Sequence, residues 1–304
     1  MFELYLTYEY HVAATQLVLA MLGIGASLRR ADVTRVYRFP KAFGVGIAMQ
    51  VVMVPVMAVA VGTLLAPHTG IAVGLVLVAA LPGGVMSNLL VYLARASLAL
   101  SVALTATMTI GCLVTTPLLL RVFAGTHMPP GFVMPAGRIA FEMLVFLLIP
   151  LAIGMAVAMT QPRRREAFAR WTIRGSLVML SVIIVGASGA GRIDPTAYGL
   201  AGYAALVVFT GAILAAALLG GRAAGLRSPD RLAIAIEVGI RNINLGLLLK
   251  ASLFPAVPGV PDPLADAVLF ALLMYGGIGT TAAIVLTVLH RRGILVTREW
   301  GVAR

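Results

Sequence analysis

The chain has 304 residues, of which 61% are hydrophobic and only 11% charged, with a mean hydropathy of +1.01. Soluble domains carry about 25% charged and about 45–50% apolar residues, so a soluble globular domain is excluded. The net charge of +12 does not point to nucleic acid, because no basic stretch is interleaved with aromatics on a polar domain; in a membrane protein such an excess marks cytoplasmic loops.

Apolar runs of membrane-spanning length recur along the chain, which predicts an all-α polytopic membrane protein. The first run begins near residue 10, behind MFELYLTYEY, a flank with Glu3 and Glu9 but no basic residue. A cleavable signal peptide needs a basic n-region, so this run is expected to stay as a span. Nine spans are predicted, at about 10–28, 40–65, 70–95, 97–123, 137–160, 168–190, 196–220, 229–253 and 264–289.

Loop charge orients them. With the N-terminus outside, eighteen basic residues fall in inside loops or the C-terminal tail. They include Arg29, Arg30, Arg35, Arg38, Lys41, Arg163, Arg164, Arg165, Arg298 and Arg304. Only Arg121, Arg138, Arg192 and Lys250 fall outside. This asymmetry predicts nine spans with the C-terminus in the cytoplasm, in a bacterial inner membrane. Glu3, Glu9, Asp194, Asp262 and Asp266 fall outside, and Glu142 is four residues from Arg138, the spacing of a surface ion pair. Glu237 is then the one carboxylate expected deep in the membrane.

Two spans are not plain helices. The third holds Pro82, Gly83 and Gly84 at its middle, followed by Ser87 and Asn88. Proline removes a helical donor and clashes with the preceding turn, and glycine weakens a helix. The eighth, AIAIEVGIRNINLGLLL, has Gly239 between Glu237 and Arg241–Asn242. Broken backbone at membrane depth is tolerated only where protein or a watery cavity satisfies it. Buried membrane charges usually face the bundle interior and mark a pathway. Glu237 and Arg241 at i,i+4 also have the spacing of a structural ion pair. Two interrupted spans, one in each half, point to a secondary transporter with inverted repeats and a midplane site. There, half-helix N-termini would present N–H groups and positive dipole ends. The first break falls in the third of four spans and the second in the fourth of five, as if a five-helix repeat had lost its first helix.

Cys112 is the lone cysteine and lies in an apolar run; His11, His68, His127 and His290 are scattered. Disulfide scaffolds and Cys- or His-based metal sites are thereby excluded. No nucleophile–base pair or carboxylate pair suggests an enzyme. A cation/proton antiporter would need a further membrane aspartate.

LPGGVMSNLLVYLARASLALSVALTATMT (residues 81–109) and EVGIRNINLG (residues 237–246) resemble the bile acid:sodium symporter family of organic anion transporters. The resemblance implies ten helices, or nine in a shorter form, with two discontinuous crossing helices. It also implies a panel domain (about 10–28 and 137–190 here) and a core domain (about 40–123 and 196–289) within one transmembrane unit spanning residues 1–304. It places one sodium site on Ser87, Asn88, Ser101, Thr105 and Glu237. A second site would use Glu237, backbone carbonyls at Val238 and Ile240, Gln50, and a glutamine where this chain has Arg241. An asparagine common near the last helix is absent, and Tyr275 is the nearest polar residue. Organic anion contacts are expected from Arg241, Asn242, Asn88 and Tyr275.

Arg241 changes the second site. Two unit charges about 4 Å apart repel by about 4 kcal/mol at an effective dielectric near 20, about a thousandfold in affinity. Arg241 is therefore expected to act as a tethered cation that replaces the second sodium, pairs with Glu237 when the site is empty, and reaches a substrate carboxylate with its planar fork. The expectation is secondary active transport of a small or amphipathic organic anion, with sodium coupling reduced or lost. The alternative is a sodium-independent organic anion uniporter or channel. The expected partners are the anion and the lipid bilayer, with no nucleic acid and no cofactor apart from a coupling sodium ion.

Overall fold

The computed structural model describes residues 2–27, 40–124, 132–194 and 196–294. Arg29, Arg30, Arg35, Arg38, His127, Arg298 and Arg304 lie outside the described residues. The described residues form helices and no strand. In order these are α1 (Phe2–Ser27), α2 (Pro40–Leu65), α3 (Thr69–Ala80), α4 (Val85–Leu93), α5 (Leu98–Phe123) and α6 (Ala136–Thr160). Then come α7 (Arg165–Gly189), α8 (Gly199–Ala223), α9 (Ser228–Gly239), α10 (Ile243–Leu253) and α11 (Pro263–Arg291). Seven of them, α1, α2, α5, α6, α7, α8 and α11, are long and apolar enough to cross a membrane.

The third and eighth apolar runs are each split into two short helices, α3/α4 and α9/α10. Pro82 has no N–H to continue α3, and Leu81 before it takes the extended conformation that a following proline favours (φ −74°, ψ 149°). The second break falls after Gly239, where Ile240 is extended (φ −111°, ψ 108°).

Three helices contain a π turn that hydropathy does not reveal: Met49–Met53 in α2, Leu120–Ala124 at the end of α5 and Leu144–Leu148 in α6. Pro55, Pro117 and Pro150 stand beside them. Each proline withdraws one backbone donor, and a π turn is a way to re-phase the ladder around the gap.

Small residues set the packing. α1 lies along α6 and α7. A Cβ at Gly25 would sit 2.1 Å from the Leu151 carbonyl oxygen, and one at Gly154 would sit 2.2 Å from that of Leu22. The backbones of α1 and α6 therefore touch, as small residues allow between membrane helices. Gly70 and Gly74 of α3 likewise face the methyls of Ala267 and Ala271 of α11. α3 is buried on every side from Gly70 to Ala80, which fits a helix that is apolar all round. α8 covers α9, α2 and α11, while α5 packs on α4 and α9.

α1 begins eight residues earlier than the hydropathy predicts. The polar flank is helical because its polar groups find protein partners. Glu9 is only 4% exposed and accepts from Lys250 Nζ at 2.6 Å and from an Arg192 terminal nitrogen at 3.0 Å. The placement of Glu9 and Lys250 in outer loops is thus corrected, since they lie inside α1 and α10 and are buried; Arg192 does lie after α7 and outside any helix, and it is buried as well. Glu142 is corrected likewise. It does pair with Arg138 at 2.9 Å, but it is itself buried and also accepts from Tyr10 (3.1 Å) and Ser252 (2.9 Å). Glu9, Glu142 and Asp230 are thus buried in the protein along with Glu237.

Candidate functional site at the crossed breaks

The two breaks meet. Gly83 and Arg241 form an isolated antiparallel bridge. The Gly84 N–H donates to the Ile240 carbonyl at 2.9 Å, and the Asn242 N–H donates to the Pro82 carbonyl at 3.0 Å. Each break thus supplies the hydrogen bonds that the other lacks.

Five more carbonyls in and beside the breaks have partners. Ala80 accepts from the Thr116 hydroxyl at 2.6 Å, Leu81 from an Arg241 terminal nitrogen at 3.1 Å, and Gly84 from the Ser87 N–H at 3.0 Å. Gly239 accepts from the Tyr275 hydroxyl at 2.9 Å, and Arg241 from the Ile243 N–H at 2.9 Å. A buried orphan carbonyl would cost several kcal/mol in a water-free interior. This pairing is what lets two helices stop inside the protein.

Both half-helices that leave the crossing, α4 and α10, start there, so their positive dipole ends converge. Asn242 caps α10, its Oδ1 accepting from the Leu245 N–H at 3.3 Å. One lone pair of this expected anion contact is therefore used to start the helix.

Glu237 occupies the last turn of α9 and is fully buried. The C-terminal end of its own helix is unfavourable for a carboxylate. Three hydroxyls compensate. Ser87 Oγ and Ser101 Oγ donate to Oε2 at 2.6 and 2.9 Å, and Thr105 Oγ1 donates to Oε1 at 2.6 Å. Ser101 also reaches Asn88 Oδ1 at 2.8 Å, and Asn88 Nδ2 reaches Thr105 at 3.3 Å. All five residues expected at the first site therefore come together. Ser101 and Thr105 are one turn apart on α5 and present the same face. Each hydroxyl has a single proton for two acceptors within range, because Ser87 also faces the Gly84 carbonyl and Thr105 the Ser101 carbonyl. Turned the other way, the same hydroxyls offer lone pairs. With Asn88 Oδ1 and the carboxylate they form a set of hard oxygens suited to a small hard cation. No cluster of three or more His, Cys, Asp or Glu exists among the described residues, so the site would rely on neutral oxygens around one carboxylate.

The expected Glu237–Arg241 pair is not formed. None of the ion pairs among the described residues joins them. The i,i+4 relation holds only while the chain is helical, and α9 ends at Gly239. The extended Ile240 turns Arg241 toward α2 instead. There one terminal nitrogen donates both to Gln50 Oε1 and to the Leu81 carbonyl, each at 3.1 Å. Gln50 sits in the π turn of α2 and is 1% exposed. Arg241 Nε, its other terminal nitrogen and Gln50 Nε2 are buried and make no well-aligned hydrogen bond among the described residues, although the Tyr275 hydroxyl lies beside the guanidinium. Tyr275, expected to face a substrate, is fully buried with its hydroxyl on Gly239. Of the backbone groups expected at the second site, the Ile240 carbonyl is already engaged by Gly84.

Apolar helices around an oxygen-lined carboxylate at two crossed breaks define a membrane transporter. Residues 14–192 match the model of the sodium bile acid symporter family. The chain is 32% identical over 243 residues to the "Uncharacterized sodium-dependent transporter YocS" of Bacillus subtilis, covering 80% of this chain and 74% of that protein. It is 30% identical to the "Probable sodium/metabolite cotransporter BASS2, chloroplastic" of Oryza sativa subsp. japonica, over 77% of this chain and 55% of that protein. It is 27% identical to the "Sodium-dependent organic anion transporter" of Mus musculus, over 58% of this chain and 47% of that protein. The chain belongs to the sodium bile acid symporter family.

Proposed function

We propose that this protein is a secondary transporter for a small or amphipathic organic anion, working by alternating access with Arg241 in place of one coupling cation. The observation that carries the proposal is the position of that guanidinium. One nitrogen takes the Gln50 side-chain oxygen and the Leu81 carbonyl at 3.1 Å, two oxygens of the kind a second sodium would need. A fixed positive charge there repels a second ion. The Glu237 cluster keeps its own oxygens and serves one sodium.

Nine spans, made of the seven long helices and the two broken pairs, form two inverted repeats in this reading. α1, α6 and α7 form the panel, and α2–α5 with α8–α11 form the core. This division is supported by the packing of α1 along α6 and α7. The N-terminus lies outside and the C-terminus in the cytoplasm of a bacterial inner membrane. The anion binds between panel and core, near the converging starts of α4 and α10, close to Asn88 and Asn242. The two Arg241 nitrogens that make no well-aligned hydrogen bond, beside the Tyr275 hydroxyl, supply donors for its carboxylate. The name of the mouse relative supports this substrate class. Occupancy biases the rocking of core against panel only through its different affinity for the two states.

The test is anion uptake in proteoliposomes at graded sodium for the wild type and Arg241→Gln. Wild type is expected to respond to sodium with a Hill slope near one, and Arg241→Gln with a steeper slope approaching two. A wild-type slope near two refutes the substitution of charge for ion. Uptake indifferent to sodium in both proteins favours the sodium-independent uniporter.

A further inference from the structure

A second buried polar cluster lies at the other end of α10 from the crossed breaks, beside the first turns of α1. Lys250, in the last turn of α10, is fully buried with its ammonium 2.6 Å from Glu9 Oε1. Arg192 donates to the other oxygen of Glu9 at 3.0 Å and to Asp266 Oδ1 at 2.5 Å. Four ionised side chains thus form a neutral chain, Lys250–Glu9–Arg192–Asp266. Burying such groups is costly, and for stability alone apolar residues would serve as well. Charged networks of this kind are best retained where they specify one arrangement over another.

The four groups belong to two sets of helices. Glu9 is on α1. Arg192 follows α7, and its backbone N–H is tied to the Ala187 carbonyl of that helix at 2.9 Å. Lys250 is on α10 and Asp266 in the first turn of α11, and these two helices pack together. Two further contacts cross the same seam. Gln16, two turns further along α1 from Glu9, donates to Asn244 Oδ1 of α10 at 2.7 Å and to Ser176 of α7 at 3.3 Å. Ser252 of α10 donates to Glu142 of α6. The seam between α1/α6/α7 and α10/α11 is therefore closed by polar contacts over about 10 Å of α1.

We propose that Glu9, Arg192, Lys250 and Asp266 form a latch that holds α1 and α7 against α10 and α11, and that opens by splitting into two neutral pairs, Glu9–Arg192 and Lys250–Asp266. Each side of the seam carries one positive and one negative charge, so parting strands no lone charge. Removing a single member does strand one, and water reaches it only if the seam opens. Loss of one charge therefore favours the open form. The latch rests on the alternating-access reading above, as the element that closes the outer route.

The test uses Ser176→Cys in a Cys112→Ala chain, labelled in proteoliposomes by a membrane-impermeant maleimide. Glu9→Gln and Lys250→Met are each expected to raise the labelling rate about tenfold, which corresponds to about 1.4 kcal/mol. The exchange Glu9→Lys with Lys250→Glu is expected to bring it back to within about twofold (about 0.4 kcal/mol) of the parent. Asp266→Asn, at the more exposed edge of the cluster, provides a variant that leaves the Glu9–Lys250 contact intact and should raise labelling in the same direction. Unchanged labelling in all single variants, or an exchange no slower to label than the singles, overturns the latch. Organic anion counterflow is measured on the same vesicles. A parent that exchanges anion while labelling ignores the network removes the latch alone. A parent with no counterflow removes the transport reading, while the labelling still reports on the seam.

Discussion

Gly83 and Glu237 stand so close that a Cβ built on Gly83 would fall 2.0 Å from Glu237 Oε1. The residue after the break proline is thus the floor on which the buried carboxylate rests. Gly83→Ala is expected to push the carboxylate off its three hydroxyls or to part the two breaks. Overpacking of this kind costs about 1–3 kcal/mol. The expected result is folded protein with a lowered melting temperature and lost sodium-dependent uptake. Uptake equal to wild type would mean that the site tolerates a displaced carboxylate.

Thr105→Val keeps the shape of the side chain and removes its donor to Glu237 Oε1. Leaving a buried charged acceptor short of a partner costs about 1–3 kcal/mol or more. Thermal unfolding in sodium and in potassium separates two consequences. The melting temperature is expected to fall in both salts, and the sodium-specific stabilisation to shrink. Stabilisation by sodium unchanged from wild type would take Thr105 out of the cation site.

Glu237→Gln retains an oxygen acceptor but not the charge. Sodium stabilisation should disappear, because a cation among neutral oxygens alone has lost its counter-charge. The amide oxygen replaces only one carboxylate oxygen, and hydroxyls left facing the NH2 can turn to their second acceptors, the Gly84 carbonyl, Asn88 Oδ1 and the Ser101 carbonyl, so the protein should remain folded. Persisting sodium-dependent uptake in this variant would be incompatible with a cation bound at this cluster.

Tyr275→Phe removes the hydroxyl from the Gly239 carbonyl. The expected loss is about 0.5–1.5 kcal/mol for the bond itself, rising toward about 3 kcal/mol if the carbonyl stays unpartnered. Denaturation measures that loss, and anion affinity distinguishes a structural from a contact role. An unchanged anion KM with lower stability assigns Tyr275 to the break; a raised KM with unchanged stability assigns it to the anion.

Gly154→Leu probes packing remote from the crossed breaks. Its side chain would meet the Leu22 carbonyl, where even a Cβ lies at 2.2 Å. α1 and α6 must separate, so stability is expected to fall by about 1–3 kcal/mol or more, without a change in the ratio of sodium to potassium stabilisation. A change in that ratio would show that the α1–α6 contact reaches the cation cluster.

Both breaks were readable from residue chemistry, since Pro82 and the glycines are local instructions and act wherever they are placed. Gathering Ser87, Asn88, Ser101 and Thr105 around Glu237 followed from the family resemblance of residues 81–109 and 237–246, since hydroxyls one turn apart on a helix would by themselves read as bonded to their own backbone. The direction of Arg241 did not. Helical spacing put it beside Glu237, but the same Gly239 that marks the break also cancels that spacing. Glu9 and Lys250 were misplaced for another reason. Hydropathy sees only local composition, and a charge neutralised by a residue 241 positions away looks like a loop charge. The π turn that carries Gln50 was equally hidden, although Pro55 was its visible sign.

The reciprocal hydrogen bonds between the breaks have a consequence for biogenesis. Ser87 and Glu237 are 150 residues apart. At about 5–20 residues per second, the ribosome needs roughly 8–30 s to travel between them. Throughout that interval the nascent chain holds Pro82, Gly84 and their neighbours without the segment that completes them. Until α9 and α10 arrive, the Pro82 carbonyl and the Gly84 N–H lack the partners they have in the finished fold, so the earlier break cannot take its final form before the later one is made.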